Sequence, residues 1–489
     1  MAPIAAWFSM PIITVPRLLI TGISAGVGKS LVATGLTVAL RKRGLSVSCC
    51  VTATDLHQAV LFQRMSRRYV RTLDQRFLSP EMIRFNLYQA SLGADVVLMD
   101  GSGGLHDGFS VGVPAGSDAE IARITETPTV MLVPDSQFGE SLAALVAGYD
   151  SFRGGRILNA LILSGVPGVT RGTTRGYQGS SVDALNAVLS SYQLPNIFGD
   201  VPWREFAGEL PGRGFSQGTN VTALPAQFFH ELGTLVEESV DIDGLLRVAA
   251  TAPELELPED TDPPRNRSCR MAIANDGCFS VGFQDNIDAL RYYGAELVGF
   301  SPLADQSIPE GVTGVYLPGA YLASYAEELS MNVSLRDSMR DFVERGGLLM
   351  SEGAATAFLS RSFQVEENGE VYEGAGVLPF DSTVGVPCHQ QVELNAVEDS
   401  ILGPVGTVVC GVRTEEFMAR GPVNNGRGLS LIGEIAAPVG SAPRSHLVSP
   451  EKEGFSPTAQ SFCTYMLLHL GATPRAAKTL VESAALARP

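Results

Sequence analysis

The stretch "TGISAGVGKS" (Thr21–Ser30) follows an apolar run, "RLLIT", and opens a helix-like stretch, "KSLVATGLTVALRKRG". A glycine-rich turn between strand and helix implies an open α/β sheet. Backbone N–H groups in such a turn can wrap phosphate oxygens, and the helix dipole adds to their pull. Gly26, Val27 and Gly28 supply that backbone. Lys29 would neutralise the β- and γ-phosphates of ATP, and the Ser30 hydroxyl would ligate Mg2+. The spacing is one residue off the simplest pattern, because Gly22 lies six before Gly28 and Ile23 holds the usual first-glycine place.

The same alternation continues along the chain. "LSVSCCVT", "ADVVLMD", "TVMLVPD" and "ALILSG" are apolar runs of the length expected for fully buried parallel strands. "SDAEIARITE" and "GESLAALVAGYDSF" fit intervening helices. These features predict an N-terminal extension over 1–16 and a doubly wound α/β domain over 17–235. The proline-rich, acidic "ATAPELELPEDTDPPRNRS" lacks helical periodicity and sets a linker over 236–268. A second α/β domain, over 269–489, starts with "CRMAIAND", "QDNIDALRYYG", "AELVGFSPL" and "GVTGVYLPG", and becomes strand-rich after about 370.

A magnesium–nucleotide site needs carboxylates at strand ends, which face the ligand crevice in this architecture. Asp100 ends the "VVLMD" run, Asp107 follows in a turn and Asp55 follows the second strand. They are the candidate catalytic carboxylates, with Ser30, Asp55 and Asp100 as candidate metal ligands.

The net charge of −17 disfavours a general nucleic-acid binder, since phosphate contacts need clustered Lys and Arg. No uninterrupted apolar run reaches membrane-spanning length. Seven cysteines lack metal-ligand spacing and read as buried thiols of a reducing cytoplasm.

"GISAGVGKS", "DGSGGLHDG" and "GSDAEIARI" resemble segments of the cobyrinic acid a,c-diamide synthase family, whose P-loop shares the offset spacing. "MAIANDGCFSVGFQDNIDALRYYGAELVGFSPLAD" is similar to the start of the family's class I glutaminase domain. The resemblance covers nearly the whole chain. It implies ATP- and glutamine-dependent amidation of a carboxylate-rich tetrapyrrole through an acyl phosphate, with Asp100 and Asp107 serving nucleotide, magnesium and carboxylate activation. It also implies a homodimer.

"LLMSEGAATAFL" (348–359) has the outline of a nucleophile elbow. Where the family reads A-E-C-G-G, this chain reads "SEGAA", which puts the catalytic Cys position on Gly353. His446 in "PRSHLVSP" is the candidate residual base. Val51 replaces a family Lys, Gln58 replaces a second Asp, and "TEEFM" (Thr414–Met418) lacks two histidines of the family segment. The expectation is therefore a synthase whose ammonia comes from solution or from a partner glutaminase. The alternative is an ATP-binding, non-catalytic partner or regulatory subunit in a tetrapyrrole pathway.

Overall fold

The computed structural model describes residues 12–134, 139–165, 182–202, 224–256, 266–366, 369–420, 429–434 and 452–489. The chain divides into two units, one holding the described residues up to 256 and the other those from 266 onward.

The first unit contains β1 (Ile12–Ile13), β2 (Arg17–Gly22), α1 (Lys29–Lys42), β3 (Val47–Val51), α2 (Leu56–Ser66), β4 (Arg71–Thr72), α3 (Pro80–Ser91), β5 (Val96–Asp100) and α4 (Asp118–Thr125). It continues with β6 (Thr129–Pro134), α5 (Ser141–Ser151), β7 (Leu158–Ser164), α6 (Val182–Ser191), β8 (Ile197–Val201), α7 (Ala226–Ser239), α8 (Ile242–Ala249) and β9 (Leu255–Glu256). Seven strands form one sheet in the order β4-β3-β5-β2-β6-β7-β8, and every pairing is parallel. β2, β3 and β5 are buried at every position, which is why they read as unbroken apolar runs. The expected doubly wound α/β fold is present.

Helix α4 is fixed at both ends. Ser117 caps its start by accepting from the Glu120 N–H, and the fully buried Arg17 closes its end. Arg17 Nε donates to the Thr125 carbonyl at 3.1 Å. Its Nη2 donates to the carbonyls of Glu126 at 3.1 Å and Pro253 at 2.8 Å. Burial lowers the guanidinium pKa to about 10, so it stays charged at neutral pH and complements the negative end of the helix.

The span expected as a linker carries structure. α7 crosses its start and α8 lies inside it. Val236 packs so closely on α1 that a Cβ at Gly35 would come within 2.4 Å of its Cγ2. Ile242, Gly244, Leu245 and Ala249 make the buried face of α8, and Asp241 caps it. The N-terminal extension also joins the unit, because β1 pairs antiparallel with β9. The local composition hid both, since short elements here are held by tertiary packing rather than by propensity.

The second unit contains β10 (Cys269–Ala274), α9 (Gln284–Tyr292), β11 (Ala295–Phe300), β12 (Gly314–Leu317), α10 (Leu322–Met331), α11 (Val333–Glu344), β13 (Leu348–Ser351), α12 (Ala354–Phe358), β14 (Ser362–Val365) and β15 (Val371–Glu373). The long strands β16 (Asp381–Ala396) and β17 (Val408–Arg420) follow, then β18 (Leu429–Glu434), β19 (Lys452–Glu453), β20 (Ser461–Cys463), β21 (Leu467–Leu468) and α13 (Pro474–Leu486). A parallel sheet runs β11-β10-β12-β13-β20, and a second sheet is built around β16 and β17. "TEEFM" lies within β17. No helix among the described residues is long and apolar enough to cross a membrane.

Arg17→Met should lower the stability of the first unit by about 3 kcal/mol, because the buried carbonyl of Thr125 and the part-buried carbonyls of Glu126 and Pro253 lose a charged donor. Chemical unfolding followed by a first-unit probe checks this, and a change within error would show that the bonds contribute nothing net.

Candidate functional site

The glycine-rich turn sits at the C-terminal end of β2, between β5 and β6. Gly26 (φ 78°) and Gly28 (φ 91°) both adopt the left-handed region, which L side chains rarely enter. The offset Gly22 has a steric reason: a Cβ there would lie 2.4 Å from Val27 Cγ2. The turn is held from outside. The Leu105 N–H donates to the Gly22 carbonyl at 2.8 Å, Tyr149 Oη to the Ile23 carbonyl at 2.8 Å and Ser164 Oγ to the Val27 carbonyl at 2.7 Å. α1 starts from Gly28 with no side-chain cap and no acidic residue in its first turn, which keeps its positive end suited to an anion.

Lys29 is buried, and its Nζ donates to the carbonyls of Gly103 at 2.7 Å and Ser24 at 3.1 Å. Burial pushes its ammonium pKa down, while Asp118, Asp100 and Asp107 pull it back up. Ser30 Oγ donates to Asp100 Oδ2 at 2.7 Å. Asp100 Oδ1 is buried and has no hydrogen-bond partner among the described residues. Burial raises the Asp100 carboxyl to about 7, opposed by Ser30 and Lys29. Asp107 Oδ2 accepts from the Gly104 N–H at 3.1 Å.

The structure therefore brings Lys29, Ser30, Asp100 and Asp107 together. Asp55 stands apart in its contacts. It caps α2 by accepting from the Gln58 N–H at 2.9 Å, and it reaches Asp100 only as a more distant charge. Among the described residues no group of three or more His, Cys, Asp or Glu could hold a metal by itself. A magnesium–nucleotide nonetheless fits what is present. Mg2+ characteristically takes one or two protein ligands and completes its shell with phosphate and water. Asp100 Oδ1 is a buried carboxylate oxygen open to such a cation, beside the Ser30 hydroxyl.

Sequence reasoning missed Asp118. It is buried, and its carboxylate accepts from Thr21 Oγ1 at 2.7 Å, Thr52 Oγ1 at 2.8 Å and the Ser102 N–H at 3.2 Å. An Asp after Ser at a helix start reads as ordinary first-turn charge, so the sequence carries no signal for this role.

In the second unit the elbow has its backbone. The buried strand β13 runs into Glu352, then Gly353 (φ 55°, ψ −139°), then α12. A Cβ at 353 would lie 2.9 Å from Leu467 Cδ2 and 3.6 Å from its Cγ, so an apolar side chain occupies the space in front of the corner. His446 lies outside the described residues. The described free cysteines are buried or partly so. Burial raises the thiol pKa of Cys49, Cys388 and Cys463 to about 12 and of Cys410 to about 11, the opposite of an activated nucleophile.

Glu352, next to the corner, is fully buried. It accepts from Tyr316 Oη at 2.9 Å, and Tyr316 in turn accepts from Asn286 Nδ2 at 3.1 Å. Burial raises the Glu352 carboxyl to about 8 from its ordinary 4.5, against the hydrogen bond from Tyr316 and the backbone of Leu468. The folded state therefore holds a proton that the unfolded chain releases. This contribution to stability is complete below about 4.5 and is lost as pH rises through about 8, at up to about 1.4 kcal/mol per pH unit. Glu352→Gln should remove that part of the pH dependence. Denaturant unfolding of both proteins across this range tests it, and identical slopes would contradict it.

Gly353→Cys should destabilise the second unit by about 1–3 kcal/mol, through a left-handed backbone and overpacking against Leu467. The loss caused by Gly353→Cys should be smaller in a Leu467→Ala background than in the wild type. Unfolding curves for the wild type, both single variants and the double variant decide, and equal losses in the two backgrounds would show that Leu467 does not fill the corner.

A family model for the CobB/CobQ-like glutamine amidotransferase domain matches residues 270–400. The cobyrinate a,c-diamide synthase of Dehalococcoides mccartyi (strain CBDB1) is 31% identical over 408 residues, covering 81% of this chain and 84% of that protein. The enzyme of the same name from Syntrophotalea carbinolica is 29% identical over 475 residues, covering 96% and 98%.

Proposed function

The chain belongs to the cobyrinate a,c-diamide synthase family, and on that premise we propose that it amidates carboxylate side chains of a tetrapyrrole with ATP and free ammonia. The observation that carries this reading is the buried Asp100 at the glycine-rich turn, which accepts from Ser30 Oγ on one oxygen and leaves the other without a hydrogen-bond partner. Bound Mg2+ would draw charge from the phosphates. Ser30 and Asp100 would hold it, and the Lys29 ammonium would turn from its loop carbonyls to the β- and γ-phosphates. A substrate carboxylate oxygen then attacks the γ-phosphorus, ADP leaves and an acyl phosphate forms. Ammonia attacks the acyl carbon, phosphate leaves and the extra proton is released. Asp107, which accepts from the Gly104 N–H, would serve carboxylate activation, as the family pattern implies.

Nitrogen from glutamine does not fit this chain. A class I glutaminase needs a thiolate at the elbow, a base beside it and backbone donors for the oxyanion. Gly353 offers no thiol, and a Cβ there would lie 2.9 Å from Leu467 Cδ2. The second unit keeps the glutaminase-like scaffold without the chemistry, so ammonia comes from solution or from a partner glutaminase.

Two outcomes test the proposal. Purified protein should hydrolyse ATP only when magnesium, a tetrapyrrole acid and ammonium are all present, and Lys29→Ala should lower this turnover at least a hundredfold. Glutamine should not replace ammonium. ATP binding without tetrapyrrole-dependent turnover would favour the non-catalytic partner, a reading that Val51 and Gln58 support because they replace charged residues of the family pattern.

A further inference from the structure

We propose that Asp118 is a positioning residue of the nucleotide site: it ties three strand ends together so that Ser30 and Asp100 meet magnesium in a single geometry. The inference rests on the nucleotide reading above. One carboxylate in the first turn of α4 reaches Thr21 at the end of β2, Thr52 just beyond β3 and the Ser102 N–H just beyond β5. β3, β5 and β2 are neighbours in the sheet. β2 leads through the glycine-rich turn into α1, whose second residue is Ser30, β5 ends in Asp100, and Thr52 also accepts from the Ser102 N–H at 3.1 Å. The strand ends that carry the candidate ligands are thus joined through one side chain.

Gly101 shows how closely that side chain is built in. A Cβ there would lie 2.1 Å from Asp118 Oδ2 and 2.7 Å from its Cγ, so the residue after Asp100 has to be glycine for the carboxylate to sit where it does. Helix capping does not explain Asp118, because Ser117 already caps α4. Simple attraction does not explain it either. A buried negative charge beside a phosphate site repels a polyanion. An ionised group this deep is costly unless its hydrogen bonds are satisfied, and here both oxygens are. Geometry accounts for what charge alone would disfavour.

The charge and geometry accounts differ in sign, which makes them separable. Calorimetry on the full chain would measure ATP affinity with and without Mg2+. The quantity of interest is the gain that magnesium confers, because Ser30 and Asp100 act through the metal. Asp118→Asn should cut that gain about tenfold without weakening magnesium-free binding. Thr52→Val, which removes one of the three ties and leaves the carboxylate in place, should cut it about threefold. Melting temperatures identify which variants are folded, and Thr52→Val decides alone if Asp118→Asn is not. An unchanged magnesium-linked gain in the folded variants, or an equal rise in affinity with and without magnesium, would overturn the role of Asp118 alone. A wild-type chain that binds no ATP under either condition would overturn the nucleotide reading itself, and this inference with it.

Discussion

The first unit is organised around a buried charge balance at the C-terminal edge of its sheet. One ammonium, Lys29, feels the charge of Asp100, Asp107 and Asp118 while it donates to the carbonyls of Ser24 and Gly103. Each carboxylate is accommodated differently. Asp118 is satisfied by hydroxyls and a backbone N–H, Asp107 by the Gly104 N–H, and Asp100 by Ser30 on one oxygen only. Asp100 Oδ1 is thus the one oxygen of these carboxylates that is buried without a hydrogen-bond partner among the described residues. α4 links this edge to the rest of the unit, since its first turn carries Asp118 and its last carbonyls are held by Arg17. The site is thus supported by regular elements rather than by its loop alone.

The second unit keeps the backbone of a nucleophile elbow with glycine at its corner. The elbow depends on backbone: a buried strand, a corner in the left-handed region and a short helix. Glycine satisfies that requirement at least as well as cysteine, because it lacks the Cβ that makes the corner strained. The polar chain of Glu352, Tyr316 and Asn286 braces the corner from behind, where Asn286 also donates to the Leu468 carbonyl at 2.7 Å. The strand that carries Leu467 is therefore fastened to the same network as the corner it covers. The glycine at the corner and Leu467 over it belong to one packing arrangement.

Much of this was legible in the sequence, for identifiable reasons. Strands buried on both faces read as short apolar runs, so β2, β3, β5, β6 and β7 could be placed directly. The turn was legible because glycine, lysine and serine at that spacing have few other uses. α7 and α8 were hidden by the acidic, proline-rich composition that follows them, and only their packing against the rest of the unit accounts for them. The place of Asp55 after a strand marks it equally as a metal ligand and as a helix N-cap, and in the structure its carboxylate caps α2. Asp118 and Leu467 left no local trace, because their importance lies in residues far away in sequence that only the folded chain brings beside them.

The most direct measurement follows the nitrogen. Purified protein would be given ATP, magnesium, a tetrapyrrole acid, nitrogen-15 ammonium and unlabelled glutamine together, and the product read by mass spectrometry. The account predicts amides that carry the heavy isotope, none formed with Lys29→Ala, and the same labelling whether or not glutamine is present. Unlabelled amides that appear only with glutamine would contradict it, because they would require a working glutaminase in a chain whose elbow presents Gly353 to Leu467.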